Sequence, residues 1–356
     1  MKHLLLSLLL SIFLVLDAQA FKCEDKKIIK TYSPVYAKTF TIYEYDQFKI
    51  IQNLKDKVIV YDGKLNCETS LPHFKINSKR IVLTSTTHLP FLTLNGFEDF
   101  LVGFQGVKYI YNKNFHSEKI KEISFDLNAE ELLSLKPDLI VAYPENLRRP
   151  ERLNELRSLK LPVILNNELE EIHPLARAEW IIFMSVFIGK QKEAEMHFQE
   201  VVKNYQKIQS EASKWKKTNV LVGDIKNGFW NTCGDESDLA LLIKDAGGIL
   251  SLYEWTKMTS KTQYLSLERV LGKNITPEVW LPQNTWMNQV MLKSDSRYKK
   301  FLNLPIYNNV NKLNSKGFND YWEMGLARPD LLLLDLVKIF HPEKYINKEL
   351  NWYKKI

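Results

Sequence analysis

From Ala194 to Trp215 the apolar residues Ala194, Phe198, Val201, Tyr205, Ile208, Ala212 and Trp215 recur four and three apart. That spacing marks one face of one long helix. Neither Gly nor Pro interrupts residues 191–217, so the pattern predicts a continuous helix about 40 Å long at the standard rise per residue. Such a helix exceeds a crossover within one sheet layer and is long enough to run between two lobes. A coiled-coil seam is the weaker reading, because only about four heptads exist and no e/g charge pattern accompanies them.

On both sides of this helix, buried strands alternate with helices. RIVLTST (80–86), FLVGFQG (100–106), a helix plus strand in NAEELLSLKPDLIVAY (128–143), and LPVILN (161–166) form one set. NVLVGDI (219–225), the helix SDLALLIKDAGG (237–248), the helix SLERVLGKN (266–274), EVWLPQ (278–283), the helical YKKFLNL (298–304), PIYNNV (305–310) and the terminal helix RPDLLLLDLVKIFHP (328–342) form the other. This alternation implies parallel sheets with crossovers. The fold class is therefore α/β: two α/β lobes with parallel-rich sheets, joined by one long helix. Ligands in such sheets bind beyond the carboxyl ends of the strands.

Residues 1–20 read as a cleaved secretory signal. Lys2 precedes the apolar run Leu4–Leu16, and Ala18-Gln19-Ala20 supplies the small residues a signal peptidase needs. The run is shorter than the roughly 20 residues that span a bilayer. Lys22 before Cys23 argues against lipidation, which points to a soluble exported protein beginning at Phe21. Cys23 and Cys67 then enter an oxidising compartment where they can pair, and Cys233 remains as a small buried hydrophobe. The domains follow as 1–20 signal, 21–77 a β-rich extension, 78–173 the first lobe, 174–218 the linker helix region and 219–356 the second lobe.

The chain is 45% hydrophobic and 26% charged, which excludes a disordered or polytopic membrane protein. The net charge is +7, but Lys and Arg are scattered, so nucleic acid is not an expected partner. Catalytic signatures are missing: there is no G-x-S-x-G elbow, H-E-x-x-H pair, C-x-x-C or P-loop. Aromatic and polar residues instead gather at strand ends and in loops. Thr86 and His88 follow the first strand, Tyr109 and Tyr111 the second, and Tyr143 the third. Trp230 ends the first strand of the second lobe, Trp286 follows EVWLPQ, and Tyr321 and Trp322 precede the last helix. Aromatics just past a strand's carboxyl end are placed to line a cleft. Arg328 and Arg177 are the candidate cationic anchors, since a guanidinium suits carboxylates, although Arg177 is better placed for a structural role.

Several segments carry a resemblance: NKLNSKGFNDYWEMGLARPDLLLLDLVKIFHPE (311–343), STTHLPFLTLNG with GFQGVKYI, DLNAEELLSLKPDLIVAY, RAEWIIFMSVFIGKQKEAEMHF and the helix ending KDAGG. In order and spacing they resemble periplasmic substrate-binding proteins of ABC importers, of the iron-chelate, haem and cobalamin type. The resemblance covers about residues 78–356. It implies a periplasmic protein of two three-layer α/β lobes joined by one long rigid helix, with the ligand cleft between the lobes; it also implies binding without chemistry and no resident cofactor, the transported ligand being an iron chelate, haem or corrinoid. It implies a permease and its ATPase as partners of a monomer. It also implies a permease-docking glutamate at Glu130, while Ile249 stands where the second such glutamate is expected, with Glu254 as a replacement. Two alternatives remain open. A binder of a bare metal ion would draw on His88, His173 and Glu323, and an exported enzyme on this scaffold would show a perturbed titratable pair in the cleft.

Overall fold

The computed structural model describes residues 22–54, 56–149, 151–272, 275–347 and 349–356. The proposed signal segment and Phe21 lie outside them. The chain begins with a five-stranded sheet, β1 (Lys30–Tyr32), β2 (Phe40–Glu44), β3 (Phe48–Asn53), β4 (Asp56–Tyr61) and β5 (His73–Lys75), in spatial order 1-2-3-4-5. The first four strands form an antiparallel meander and β5 joins β4 in parallel. Cys23 and Cys67 are disulfide-bonded across the outer side of this sheet.

The first lobe follows with β6 (Ile81–Leu83), β7 (Leu101–Phe104), β8 (Lys121–Glu122), β9 (Leu139–Ala142) and β10 (Val163–Leu165). Their order is 10-9-6-7-8 and every pair is parallel. The crossovers hold α1 (Pro90–Thr93), α2 (Ala129–Leu135) and α3 (Glu151–Ser158). Asn128 caps α2 by accepting the Glu130 and Glu131 N–H groups, and left-handed Lys136 before Pro137 ends it. The central strands β6 and β9 are buried at every position, which is why they read as continuous apolar runs.

The connection between lobes is a pair of helices. In α4 (Pro174–Val186) nearly every residue is buried, and α5 (Gln191–Ala212) packs along it with Ala194, Phe198, Val201, Tyr205 and Ala212 inward. The expected continuation to residue 217 does not occur. The chain turns at Ser213, and Trp215 lays its ring against His341, 5.0 Å away, before β11 starts. The helix is thus about 33 Å long at the standard rise.

The second lobe contains β11 (Thr218–Val222), β12 (Asp224–Lys226), β13 (Phe229–Thr232), β14 (Gly248–Leu250), β15 (Gln263–Ser266), β16 (Val279–Leu281), β17 (Tyr307–Asn308) and β18 (Lys354–Lys355). A parallel sheet of order 14-11-16 is flanked by an antiparallel sheet of order 12-13-15. The helices are α6 (Asp238–Asp245), capped by Ser237, α7 (Tyr253–Thr256), α8 (Leu267–Gly272) and α9 (Gln289–Ser294). The short α10 (Met324–Ala327) and the buried α11 (Pro329–Phe340) bring the chain back onto α4 and α5.

The β-rich extension is seated on the first lobe by buried carboxylates. Glu179 of α4 accepts the N–H groups of Val35, Tyr36 and Ala37 and the Tyr32 hydroxyl, all at 2.8 Å. Glu171 accepts the N–H groups of Lys38 and Thr39 at 2.9 and 3.0 Å. Arg157 grips Asp56 through two bonds of 2.9 and 2.8 Å. Phe40 then packs on Trp180 and Phe183.

Candidate functional site

Strand ends from both lobes converge on one aromatic surface. In the first lobe, β7 runs into Gly106, whose φ of +81° is a left-handed conformation. The Tyr109 ring folds over it, and a Cβ at position 106 would lie 2.3 Å from that ring. In the second lobe, the turn after β16 is held by Asp224, which accepts the Gln283 and Asn284 N–H groups at 2.8 Å each. This turn carries Trp286. Its ring lies over Gly317, at φ +83°, where a Cβ would come within 2.8 Å. Phe318, the next residue, meets Tyr109 edge-to-face at 4.5 Å. Trp286, Phe318 and Tyr109 therefore form a run of rings that crosses from one lobe to the other. The Thr86 hydroxyl donates to the Trp322 carbonyl at 2.9 Å, a further link between the lobes, and the Trp322 ring meets Tyr321 edge-to-face. Trp286, Trp322 and Tyr109 are 61%, 49% and 40% exposed, and the Lys108 ammonium sits 5.0 Å over the Tyr109 ring.

Other residues singled out from the sequence lie deeper. Tyr143 is buried, donates to Glu168 at 2.6 Å and pairs with the Thr87 hydroxyl. Burial pushes the Glu168 carboxyl upward, against the pull of the Thr87, Tyr143 and Asn166 hydrogen bonds. His88 is buried 4.5 Å from the Tyr143 ring, and burial pushes its imidazole down to about 3, so it is neutral. His88, Thr87, Glu168 and Arg177 border a cavity of 20 Å³, room for about one water molecule. Tyr321 is likewise buried, 6.2 Å from Tyr353.

Trp230 is a correction in placement. It does not end the first strand of the lobe, which is β11. It lies in the middle of β13, after a hairpin turn at Asn227 and Gly228, both at positive φ. Its ring is 0% exposed, stacked among Trp280 and Phe301, and its Nε1 donates to the Val222 carbonyl at 2.9 Å. A large ring on the covered face of a small sheet belongs to the lobe's core, and none of its surface reaches the cleft.

The arginines are occupied. Arg328 donates twice to Asp330, at 2.9 and 2.8 Å, at the start of α11. Arg177 bridges the connection to the second lobe, pairing with Asp238 of α6 at 2.8 Å while its Nε donates to the Glu171 carbonyl. The metal candidates are not brought together. His88 is buried beside Tyr143, His173 caps α4 beside Tyr36, and Glu323 meets backbone amides. Among the described residues no group of three His, Cys, Asp or Glu could hold a metal ion. Cys233 is buried, and burial pushes its thiol up to about 11. Glu130 at the start of α2 and Glu254 in α7 are exposed.

Sequence reasoning passed over Phe318, Asn314 and Asp224. Asn314-Ser315-Lys316-Gly317 carries a turn signature that was available. The Asn314 side chain accepts the Lys316 and Phe318 N–H groups and donates to the Lys108 and Ile110 carbonyls at 3.0 Å. Tyr111 joins the site through its backbone, its N–H bonded to Glu323 at 2.8 Å.

Comparison with known proteins agrees with this architecture. The family model described as periplasmic binding protein matches residues 81–312. A periplasmic haem-binding protein from Pseudomonas aeruginosa superposes with a TM-score of 0.56 at 14% identity, over 78% of this chain and 98% of its own. A possible iron-binding, periplasmic solute-binding protein from Staphylococcus epidermidis gives 0.54 at 17% identity, over 74% and 97%. An uncharacterised lipoprotein of Methanocaldococcus jannaschii is 23% identical over 68% of this chain, and the match spans 58% of that relative's length. At these identities the structural likeness establishes the fold, and the family match over residues 81–312 establishes the kinship. The chain belongs to the periplasmic binding proteins.

Proposed function

We propose that this protein captures a flat or chelated metal-containing molecule, an iron chelate, haem or corrinoid, outside the cytoplasm and hands it to an ABC permease. The observation that carries the reading is the aromatic run of Trp286, Phe318 and Tyr109 at the junction of the lobes, with Trp286 and Tyr109 exposed. Aromatic faces hold a planar ligand by area and by quadrupole, with few polar anchors needed for orientation. Lys108 beside Tyr109 suits an anionic edge of such a ligand. The names of the Pseudomonas and Staphylococcus structures, haem-binding and iron-binding, point to the same ligand class. Glu130 and Glu254, both exposed, are the proposed permease contacts.

The test is to soak purified protein with haemin, ferric siderophores and cyanocobalamin and to read visible absorbance and intact-complex mass. One of the three is expected to co-elute at a 1:1 ratio. Trp286→Ala is expected to weaken its binding by roughly three- to tenfold, the loss of one stacking face, with unchanged thermal stability. If none of the three binds, the ligand class is wrong; if Trp286→Ala binds as tightly as the wild type, the aromatic run is not the ligand face.

A further inference from the structure

Residues 311–323 leave the second lobe after β17 and remain tied to that side. Asn319 donates to the Asn309 carbonyl at 3.0 Å, the Trp352 Nε1 donates to Asp320 at 2.9 Å, and Trp286 covers Gly317. The opposite side of this segment grips the first lobe. Thr86 bonds the Trp322 carbonyl, and Asn314 bonds the Lys108 and Ile110 carbonyls. The acidic member of this grip is Glu323. Its two carboxylate oxygens accept the Tyr111 and Asn112 N–H groups at 2.8 and 3.2 Å, and the residue is 2% exposed. Asp320 is the neighbouring carboxylate, itself 3.6 Å from Lys312.

We infer that Glu323 is a positioning residue of the cleft: it fixes the loop 106–112 of the first lobe against the segment 311–323 and so sets the spacing between Tyr109 and Trp286. Hydrogen bonds from backbone amides to a carboxylate are about twice as strong as neutral ones. Removing the carboxylate leaves two amides without their acceptor in a water-poor place. The two ends of the loop are held differently: Gly106 and Val107 give their N–H groups to Glu122 of the first lobe, whereas those of Tyr111 and Asn112 are accepted from the segment across the cleft. The inference rests on the reading that ligand lies on the aromatic run, but its first test does not.

That test is amide hydrogen exchange, at one pH and without ligand, on the intact mature protein. In Glu323→Ala, exchange at Tyr111 and Asn112 is expected to rise about tenfold or more, while the amides of β6 and β9 keep wild-type protection. Glu323→Gln retains one carbonyl acceptor and is expected to fall between the two, a graded rescue that general loosening would not produce. Asn314→Ala, which leaves Glu323 in place, serves as a second variant and is expected to raise exchange across the same loop by a smaller factor. Haemin titration is the second readout, with affinity falling in the order wild type, Gln, Ala. Unchanged exchange at Tyr111 and Asn112 in Glu323→Ala overturns the inference, as does an equal rise over β6 and β9 with no rescue in Glu323→Gln. If haemin fails to bind the wild type, the ligand reading fails, and the exchange result still decides the role of Glu323.

Discussion

Two tryptophans show how far a single residue's neighbourhood decides its role. Trp286 sits on a glycine and faces water; Trp230 is enclosed by Trp280, Tyr298 and Phe301. Trp230→Ala is therefore expected to lower stability by about 3–5 kcal/mol, as large-to-small core substitutions do. Urea denaturation measures this, and a change under about 1 kcal/mol would contradict the packing. Glu323 makes a pH-dependent prediction. Burial, helped by Asp320, raises its carboxyl to about 7 from the ordinary 4.5, against the two amides that favour the charge. The raised value means that the folded state holds a proton more tightly than the open one. Its stabilising effect is full below the ordinary value and is lost as pH rises through about 7. The wild type should gain stability relative to Glu323→Gln as pH falls from roughly 8 to 5. Melting curves of both proteins across that range check the sign, and the comparison cancels the other titrating groups.

At the scale of elements, the β-rich extension depends on donors and acceptors that its own strands cannot supply. The stretch between β1 and β2 leaves a series of N–H groups unpaired in the sheet, and Glu179 and Glu171 accept them. Glu179→Ala is expected to free residues 32–39, giving protease cleavage there while the first lobe stays folded. Resistance equal to the wild type would show that the strands hold without their anchor. The lobes themselves were legible in the sequence because β6, β9 and β11 are apolar runs and because Asn128 and Ser237 announce the helices they cap. Two things escaped. The Asn227-Gly228 pair is a hairpin signal, and missing it moved Trp230 from the middle of a third strand to the end of a first one. The stop of α5 at Ala212 is set by what Trp215 meets, His341 and Tyr345, more than a hundred residues onward; no local pattern records that. For the same reason aromatic residues at strand ends were visible as a class, whereas which of them face water depends on the sheet that covers them.

At the scale of the molecule, several links restrain the two lobes. Neither α4 after its opening Pro174 nor α5 contains a Gly or Pro, so neither helix has a site for a sharp kink, and the one glycine of the connection, Gly189 at φ +71°, lies in the turn between them. Arg177 ties α4 to Asp238 of α6, and the segment 311–323 clasps the first lobe. Closure on ligand binding is expected to be small. Small-angle scattering with and without the best ligand should show a change below about 1 Å in a radius of gyration near 20 Å, the size expected for a compact chain of this length. A larger fall would locate a hinge that these contacts do not reveal.

The anchoring of the extension also sets an order of assembly. Val35 and Tyr36 are separated from Glu179 by 144 and 143 residues along the chain, whereas Cys23 and Cys67 are 44 apart. The disulfide can therefore close on short-range encounters, but residues 32–39 have no seat until α4 has been made and packed on the first lobe. Bringing such distant partners together requires the long loop to be closed first, and contacts of that separation form late. The part of the described chain that is made earliest is thus among the last to be fixed in place, held until then by its own hairpins and the Cys23–Cys67 disulfide.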